Sequence, residues 1–439
     1  MNQGINTREL VLQMLLEINE NGQYSHLVLR QVLDKYQYLS HQERAFMTRL
    51  TQSTLEHLLE LDYLIDSFSK TKVKKMKPLI RNLLRMSACQ LKYMDAIPDS
   101  AVCNEAVKLA KKHGFGQLSG FVNGVLRNMA RNMETVVWPD PDTDPIRAME
   151  IRSSMPRWIL EKWIREQGEA GCRTILEALG REYPLTIRTN LSRLSPRELQ
   201  EKLAAEGVCA EKTPELDYAF TITGFDYLNS LESFREGDFY VQDISSMMVA
   251  EAAAPAMGDS IIDVCAAPGG KSTHLAEKMQ GSGMVEARDL TEYKTELIRE
   301  NIARHGLNNM KAVRMDATVF DPASADRADI LICDLPCSGL GVLGRKTDIR
   351  YKTRPEDCRE LAALQRQILD TVHTYVKPGG RMIYSTCTIS REENEDNVSW
   401  FIQKYPEFEL ESQRQILPGE MGQDGFYLAA LHRKEGKKA

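Results

Sequence analysis

Residues 260–273, SIIDVCAAPGGKST, decide the fold. SIIDV is short, apolar and β-branched, which suits a strand buried on both faces. Small residues and two glycines follow, and then a helical stretch begins. Glycine lets backbone approach a ligand closely, and a helix start presents free amides. Strand, glycine loop and helix in that order open a ligand-binding α/β sheet. Working outward, GMVEARD, MKAVRMDA, ADILICDLP and GGRMIYSTC read as further strands. TEYKTELIRENIARHG and CRELAALQRQILDTVHTYV read as the helices between them. Residues 236–439 are therefore expected to form a doubly wound, mostly parallel α/β sheet. FELES and DGFYLAALHRK would add strands at its edge.

Upstream the character changes. Residues 1–137 read as all-helical, with Leu10, Val11, Met14, Leu15 and Ile18 at helical spacing. Ser40 and Glu43 make a capping box, Pro78 opens a helix, and Gly114 ends one. The segment WPDPDTDP (138–145) neither continues a helix nor pairs as a central strand, so it reads as a boundary. Residues 146–235 mix helix and strand. MPRWILEKWIREQG and SPRELQEKLAAEG are expected helices, PLTIRTN and YAFTITG expected strands, which together make a small α+β module.

The 439 residues suit two or three domains, and 42% hydrophobic with 27% charged residues is an ordinary globular mixture. No apolar run approaches the ~20 residues of a membrane span. MNQGINTREL has no basic region followed by an apolar core, so no secretory signal is expected. The nine cysteines are then expected to be reduced, in a cytoplasm. With no C-x-x-C or H-x-x-x-H, no metal is expected. The net charge of −6 hides an asymmetry. Residues 1–135 carry 18 Lys and Arg against 13 Asp and Glu, or +5, and the remainder 38 against 49, or −11. Lys70, Lys72, Lys74, Lys75 and Lys77 form the densest basic run, either a solvated face or a phosphate contact.

Three ligands compete for the loop DVCAAPGGKST. The dinucleotide fingerprint G-x-G-x-x-G is absent. The phosphate loop G-x-x-x-x-G-K-[ST] fits except at its first glycine, where Cys265 stands. Asp334 would then serve as the magnesium aspartate of an ATPase. The third ligand is S-adenosylmethionine. Its mark is an acid at successive strand ends: Asp289 for the ribose hydroxyls, Asp316 for the adenine edge, Asp334 near the methionine part.

Two cysteines fall on the same rim. Cys337 lies in DLPCSG (334–339) after the fourth strand, and Cys387 in STCT (385–388) after the fifth. The other seven read as structural: Cys89, Cys103, Cys172, Cys209, Cys265 and Cys333 as buried thiols, Cys358 as a helix N-terminal residue. Carbon 5 of a pyrimidine is a poor nucleophile. A thiolate adding to carbon 6 makes the ring enamine-like, so that carbon 5 can attack an electrophilic methyl. Asp334 would contact the base edge and help deliver a proton to the ring nitrogen. On this chemistry either cysteine can be the nucleophile.

CAAPGGK (265–271), DLPCSG, STCT and GQDGFYLA (422–429) together resemble the RNA 5-methylcytosine methyltransferases, the family of the Nop2/Sun proteins and their bacterial rRNA-modifying counterparts. The helical head resembles the NusB fold, and residues 146–235 an RNA-recognition-like module. The resemblance implies a Rossmann-like catalytic domain with a seven-stranded sheet. It implies Cys387 as nucleophile and Cys337 as the residue that assists product release. It also implies that Cys265, Ala266, Ala267, Pro268, Gly269, Gly270 and Lys271 line the cofactor with Asp289, Asp316 and Asp334. Met315 departs from the glycine the family often has before its third acid.

GRKTDIRYKTRPED (344–357) follows the Cys337 turn. Arg345, Lys346, Arg350, Lys352 and Arg354 around Tyr351 suit a phosphate backbone and an unstacked base. Glu392, Glu393 and Glu395 read as structural acids opening the next helix. The expected activity is methylation of a cytosine at carbon 5 in small-subunit (16S) rRNA, by a monomer with no membrane partner. The alternatives are the same chemistry on tRNA or 23S rRNA, a phosphate-loop ATPase, and a non-catalytic RNA-binding assembly factor.

Overall fold

The computed structural model describes residues 5–422 and 424–435. The first four residues, Gln423 in the GQDGFYLA motif and the lysine-rich end lie outside the described residues. The chain forms two compact units, one of residues 1–176 with 345–352, the other of 177–344 with 353–439. Among the described residues no helix is long and apolar enough to cross a membrane. None of their His, Cys, Asp and Glu side chains group in threes to hold a metal.

The first unit is helical. Helices Thr7–Asn19, Ser25–Lys35, His41–Glu56, Leu58–Phe68, Pro78–Tyr93, Asp99–Lys112 and Ser119–Asn132 enclose one apolar core. The stripe Leu10, Val11, Met14, Leu15 and Ile18 is buried throughout. Truncating one such leucine to alanine costs about 2–5 kcal/mol. The Ser40–Glu43 box closes on both sides, and Pro78 occupies the first turn of its helix. Gly114, at φ +83°, turns the chain so that the Phe115 amide donates to the Ala110 carbonyl at 2.8 Å.

The proline-rich segment 138–145 is a turn within this unit. Asp144 caps helix Pro145–Arg152 by accepting from the Arg147 amide, and that helix packs on Leu58–Phe68. The unit therefore continues into helix Arg157–Leu179, which is kinked at Gly168.

The second unit contains two sheets. The small one has strands β1 (Leu185–Thr189), β2 (Cys209–Lys212), β3 (Ala219–Thr223) and β4 (Phe239–Val241), antiparallel in the order β2-β3-β1-β4. Ile187, Phe220, Ile222 and Phe239 pack against Leu199 and Leu203 of helix Pro196–Ala205. That helix begins at the expected Ser195–Glu198 box. β4 lies beyond residue 235, so the small sheet reaches past the expected module boundary.

The large sheet has β5 (Ser260–Asp263), β6 (Met284–Asp289), β7 (Met310–Arg314), β8 (Ala328–Asp334), β9 (Val376–Thr386), β10 (Phe408–Ile416) and β11 (Phe426–Arg433). Their order is β10-β11-β9-β8-β5-β6-β7. The pairs from β9 to β7 are parallel, and β11 is antiparallel to both of its neighbours. Alternate residues face opposite layers. Ile261, Ile330 and Ile332 join the cluster with Leu275 and Ile298, whereas Ile262, Leu331 and Cys333 join that with Ile368 and Phe401. Both faces are covered, which is why these strands read as continuous apolar runs. From β5 the chain moves to β6 on one side and later returns to β8 on the other. Such a reversal opens a crevice at the carboxyl ends of the two strands.

Candidate active site

Asp263 ends β5 and is fully buried. Its carboxylate accepts from the Ser272 hydroxyl at 2.5 Å and the Cys265 amide at 3.4 Å, tying both ends of the glycine loop to the strand. Burial, with Asp334 nearby, pushes its carboxyl up to about 7 against those donors. Motif reading misses Asp263; its one signal is an acid closing an otherwise apolar strand. Gly269 adopts φ +107°, a conformation open to glycine. At Gly270 an added Cβ would lie 2.9 Å from the Tyr240 ring, so β4 packs where only glycine fits.

The three predicted acids stand on consecutive strands of the same edge. Asp289 ends β6, accepts from the Ala267 and Leu290 amides at 3.0 and 2.8 Å, and pairs with Lys294 at 3.0 Å. Asp316 follows β7 and accepts from the Thr318 amide and hydroxyl, which hold its pKa below the ordinary value. The Met315 amide just before it donates to the Asp289 carbonyl. Asp334 ends β8, with the Lys271 ammonium at 2.7 Å and the Ser385 hydroxyl at 2.8 Å. Burial opposes the Lys271 charge, yet Asp334 and Cys387 hold its pKa above the usual lysine value.

Cys337 and Cys387 meet with their sulfurs 3.3 Å apart, both half-buried. The hydrogen bond toward Cys387, then burial, pushes the Cys337 thiol well up, so Cys337 keeps its proton. Lys271 and Cys387 lie close enough to interact electrostatically. Two glycines brace the Cys387 turn: the Gly341 amide donates to the Cys387 carbonyl at 3.1 Å, and the Gly425 amide to the Gly341 carbonyl at 2.7 Å. A Cβ on Gly341 would fall 2.1 Å from the Gly425 oxygen.

Several expectations need correction. Glu393 ends a short 3-10 turn, Arg391–Glu393, before helix Glu395–Lys404; it does not simply open a helix. It is fully buried beneath the two cysteine turns, and burial raises its pKa against the Ser338 donors. Cys209 is exposed and Cys265 half-buried, whereas Cys89, Cys103, Cys172, Cys333 and Cys358 are buried. Cys209 begins the short edge strand β2, which leaves it uncovered.

The basic loop also differs from a solvated surface loop. Arg345–Lys352 is part of the helical unit. Asp348 is buried and accepts from the Ser25 amide and hydroxyl at 3.1 and 2.5 Å. Arg350 is buried and donates to the Ser153 carbonyl at 3.2 Å, and the Tyr351 hydroxyl to that of Ser154 at 2.9 Å. Lys352 pairs with Asp348 at 2.7 Å and lies over the Tyr24 ring. Of the basic and aromatic candidates in this loop, Arg350, Tyr351 and Lys352 are thus anchors within the unit. Arg345 is half-buried, Lys346 is exposed, and Arg354 is exposed while pairing with Asp357 at 2.9 Å.

A seven-stranded Rossmann-like sheet, a glycine loop after its first strand and acids on the next three strand ends define a class, the S-adenosylmethionine-dependent methyltransferases. Residues 250–432 match the family described as 16S rRNA methyltransferase RsmB/F. Residues 5–131 match the NusB family, and 155–225 the ferredoxin-like domain of RsmF/B-like methyltransferases. The chain is 36% identical to the probable ribosomal RNA small subunit methyltransferase B of Bacillus subtilis, over 97% of this chain and 98% of that one. Identity to the protein of the same description from Synechocystis is 31%, over 98% of this chain and all of that one. Among solved structures, PH0851 superposes with a TM-score of 0.82 at 22% identity, covering 99% of this chain and all of that one. The chain belongs to the RsmB/F methyltransferase family.

Proposed function

We propose that this protein transfers the methyl group of S-adenosylmethionine to carbon 5 of a cytosine in 16S rRNA, through a covalent bond between Cys387 and carbon 6. The observation that carries this reading is the thiol pair, 3.3 Å apart, beside Lys271 and Asp334. The substrate class rests on the relatives described as small-subunit rRNA methyltransferases.

The crevice residues suit the cofactor chemically. Asp289 offers acceptors for ribose hydroxyls, Asp316 an acid for the adenine edge, and Asp334 a counter-charge for the methionine part. Residues 265–271 supply a loop of small side chains that a ligand can approach closely. When bound, S-adenosylmethionine supplies an electrophilic methyl on a sulfonium centre.

Cys387 Sγ, as a thiolate, forms the bond to carbon 6, the carbon 5–carbon 6 π electrons shift toward the ring nitrogen, and that nitrogen takes a proton passed from the Lys271 ammonium through the Asp334 carboxylate. The Lys271 ammonium behind Asp334 is the adjoining donor. After methylation carbon 5 loses its proton to solvent, the ring double bond re-forms, the bonding pair returns to Cys387 Sγ, and the ring nitrogen returns its proton to the Asp334–Lys271 pair. Cys337, still protonated, donates its S–H toward that departing thiolate and so assists release. The target base must be single-stranded or flipped out to reach Cys387. The exposed lysines at 70, 72, 74, 75 and 77, with Lys346 and Arg354, are the residues we assign to the RNA backbone.

Bisulfite sequencing of rRNA from cells lacking the protein tests the reaction and substrate together. One 16S cytosine should lose its protection and regain it on complementation. An unchanged 16S pattern with a lost site in tRNA or 23S rRNA would redirect the substrate.

A further inference from the structure

The buried carboxylate of Glu393 lies between the two cysteine turns. Its Oε2 accepts from the Ser338 amide at 2.8 Å and its Oε1 from the Ser338 hydroxyl at 2.6 Å. Ser338 is the residue after Cys337. The same hydroxyl lies 2.8 Å from the Thr388 hydroxyl, and Thr388 is the residue after Cys387. One acid thus grips the Cys337 turn directly and the Cys387 turn through a hydroxyl pair.

Glu393 is itself held rigidly. The Tyr384 hydroxyl, on β9, donates to its backbone carbonyl. Gln365, on helix Pro355–Val372, reaches the Glu393 carboxylate at 3.3 Å and the Pro336 carbonyl at 2.9 Å. Thr388, Glu393 and Tyr384 are all fully buried. A carboxylate removed from water is costly unless its acceptors are filled, and here donors from Ser338 and Gln365 fill them. A helix cap at the surface would need none of this enclosure.

We infer that Glu393 is a positioning residue for the covalent reaction, setting the contact between the Cys337 and Cys387 sulfurs through Ser338 and Thr388. This rests on the two-cysteine mechanism proposed above. Cys387 is also braced by Gly341 and by strand β9, so its attack survives loss of the clamp. The Cys337 turn depends on Ser338 for its hold on Glu393, so release is the step that suffers.

The test compares wild type, Glu393→Met, Glu393→Gln, Ser338→Ala and Cys337→Ala as full-length proteins, with 16S rRNA and S-adenosylmethionine. Turnover, KM for RNA, covalent protein–RNA adduct on a denaturing gel, S-adenosylhomocysteine affinity by calorimetry and thermal melting are measured. Glu393→Met and Ser338→Ala should accumulate adduct and lower kcat at least ten-fold, with KM for RNA and the calorimetric affinity within about three-fold of wild type. Glu393→Gln keeps a carbonyl acceptor for the Ser338 amide and should restore part of the release. Wild-type release in Glu393→Met and Ser338→Ala overturns the inference, as does a loss of turnover that only tracks a loss of folded protein. If Glu393→Met does not fold, Ser338→Ala decides. Absence of adduct in Cys337→Ala would instead overturn the covalent mechanism itself.

Discussion

Among single residues, Asp263 shows how a buried acid shapes both loop and stability. Its pKa near 7 is raised chiefly by burial. An acid that binds its proton more tightly when folded stabilises the fold fully below its unfolded pKa of about 4. That contribution is lost as the pH rises through 7. Asp263→Asn resembles the protonated form and should lose less stability over this window than wild type, by a few kcal/mol at most. Urea midpoints at intervals from pH 4.5 to 8 check this, and parallel curves would refute it. Cys387→Ala should abolish methyl transfer yet leave S-adenosylhomocysteine affinity within about two-fold, because the glycine loop is held through Asp263 and Asp289. Calorimetry with a single-turnover assay separates the two effects.

Between elements, one arginine joins the small sheet to the helix that follows the glycine loop. Arg188 of β1 is fully buried. It donates to the Gly270 carbonyl at 2.9 Å, the Thr273 hydroxyl at 3.1 Å and Glu277 at 2.8 Å, all on helix Gly270–Lys278. Arg188→Met should cost about 3–5 kcal/mol, because Glu277 is left as a buried charge with only the His305 ring, at 3.3 Å, beside its carboxylate. Adding Glu277→Met should recover much of that stability but not cofactor affinity, since the Gly270 carbonyl still lacks the Arg188 guanidinium and keeps only the Thr273 hydroxyl, at 3.1 Å, as a side-chain donor. Urea denaturation and calorimetry on the single and double variants measure both.

The same elements mark what is legible in the sequence. β5 and β8 announce themselves because both faces are buried and the residues are mostly β-branched or apolar, whereas β6 buries Glu286 and Arg288 among its apolar residues. β2, CAEK, is a short edge strand with two charges, and β4 has three residues; neither carries a periodic signal. The glycine loop, the three acids and both cysteines can be read from motif and position. Glu393 cannot, since an acid near a helix start is ordinarily a solvated one. Arg350 and Tyr351 look like RNA contacts because tertiary burial leaves no trace in composition.

At the scale of the molecule, the charge asymmetry finds a physical form. Val73 and Met76 are buried in the helical unit and pin the segment from which Lys70, Lys72, Lys74, Lys75 and Lys77 project into solvent. Replacing these lysines with serine should weaken rRNA binding. It should also flatten the salt dependence by roughly 0.7–0.9 in slope for each phosphate no longer neutralised. Filter binding over a salt series measures this, and an unchanged slope would assign the cluster to solvation alone. We propose methyl transfer through a cysteine–RNA bond made by Cys387 and released with the help of Cys337. Its most direct measurement is a denaturing gel of Cys337→Ala incubated with 16S rRNA and S-adenosylmethionine. A retarded protein–RNA band, absent from the Cys337→Ala/Cys387→Ala double variant, is the predicted result. A band that instead accumulates in Cys387→Ala, or methylation that persists in Cys387→Ala without any adduct, would contradict it.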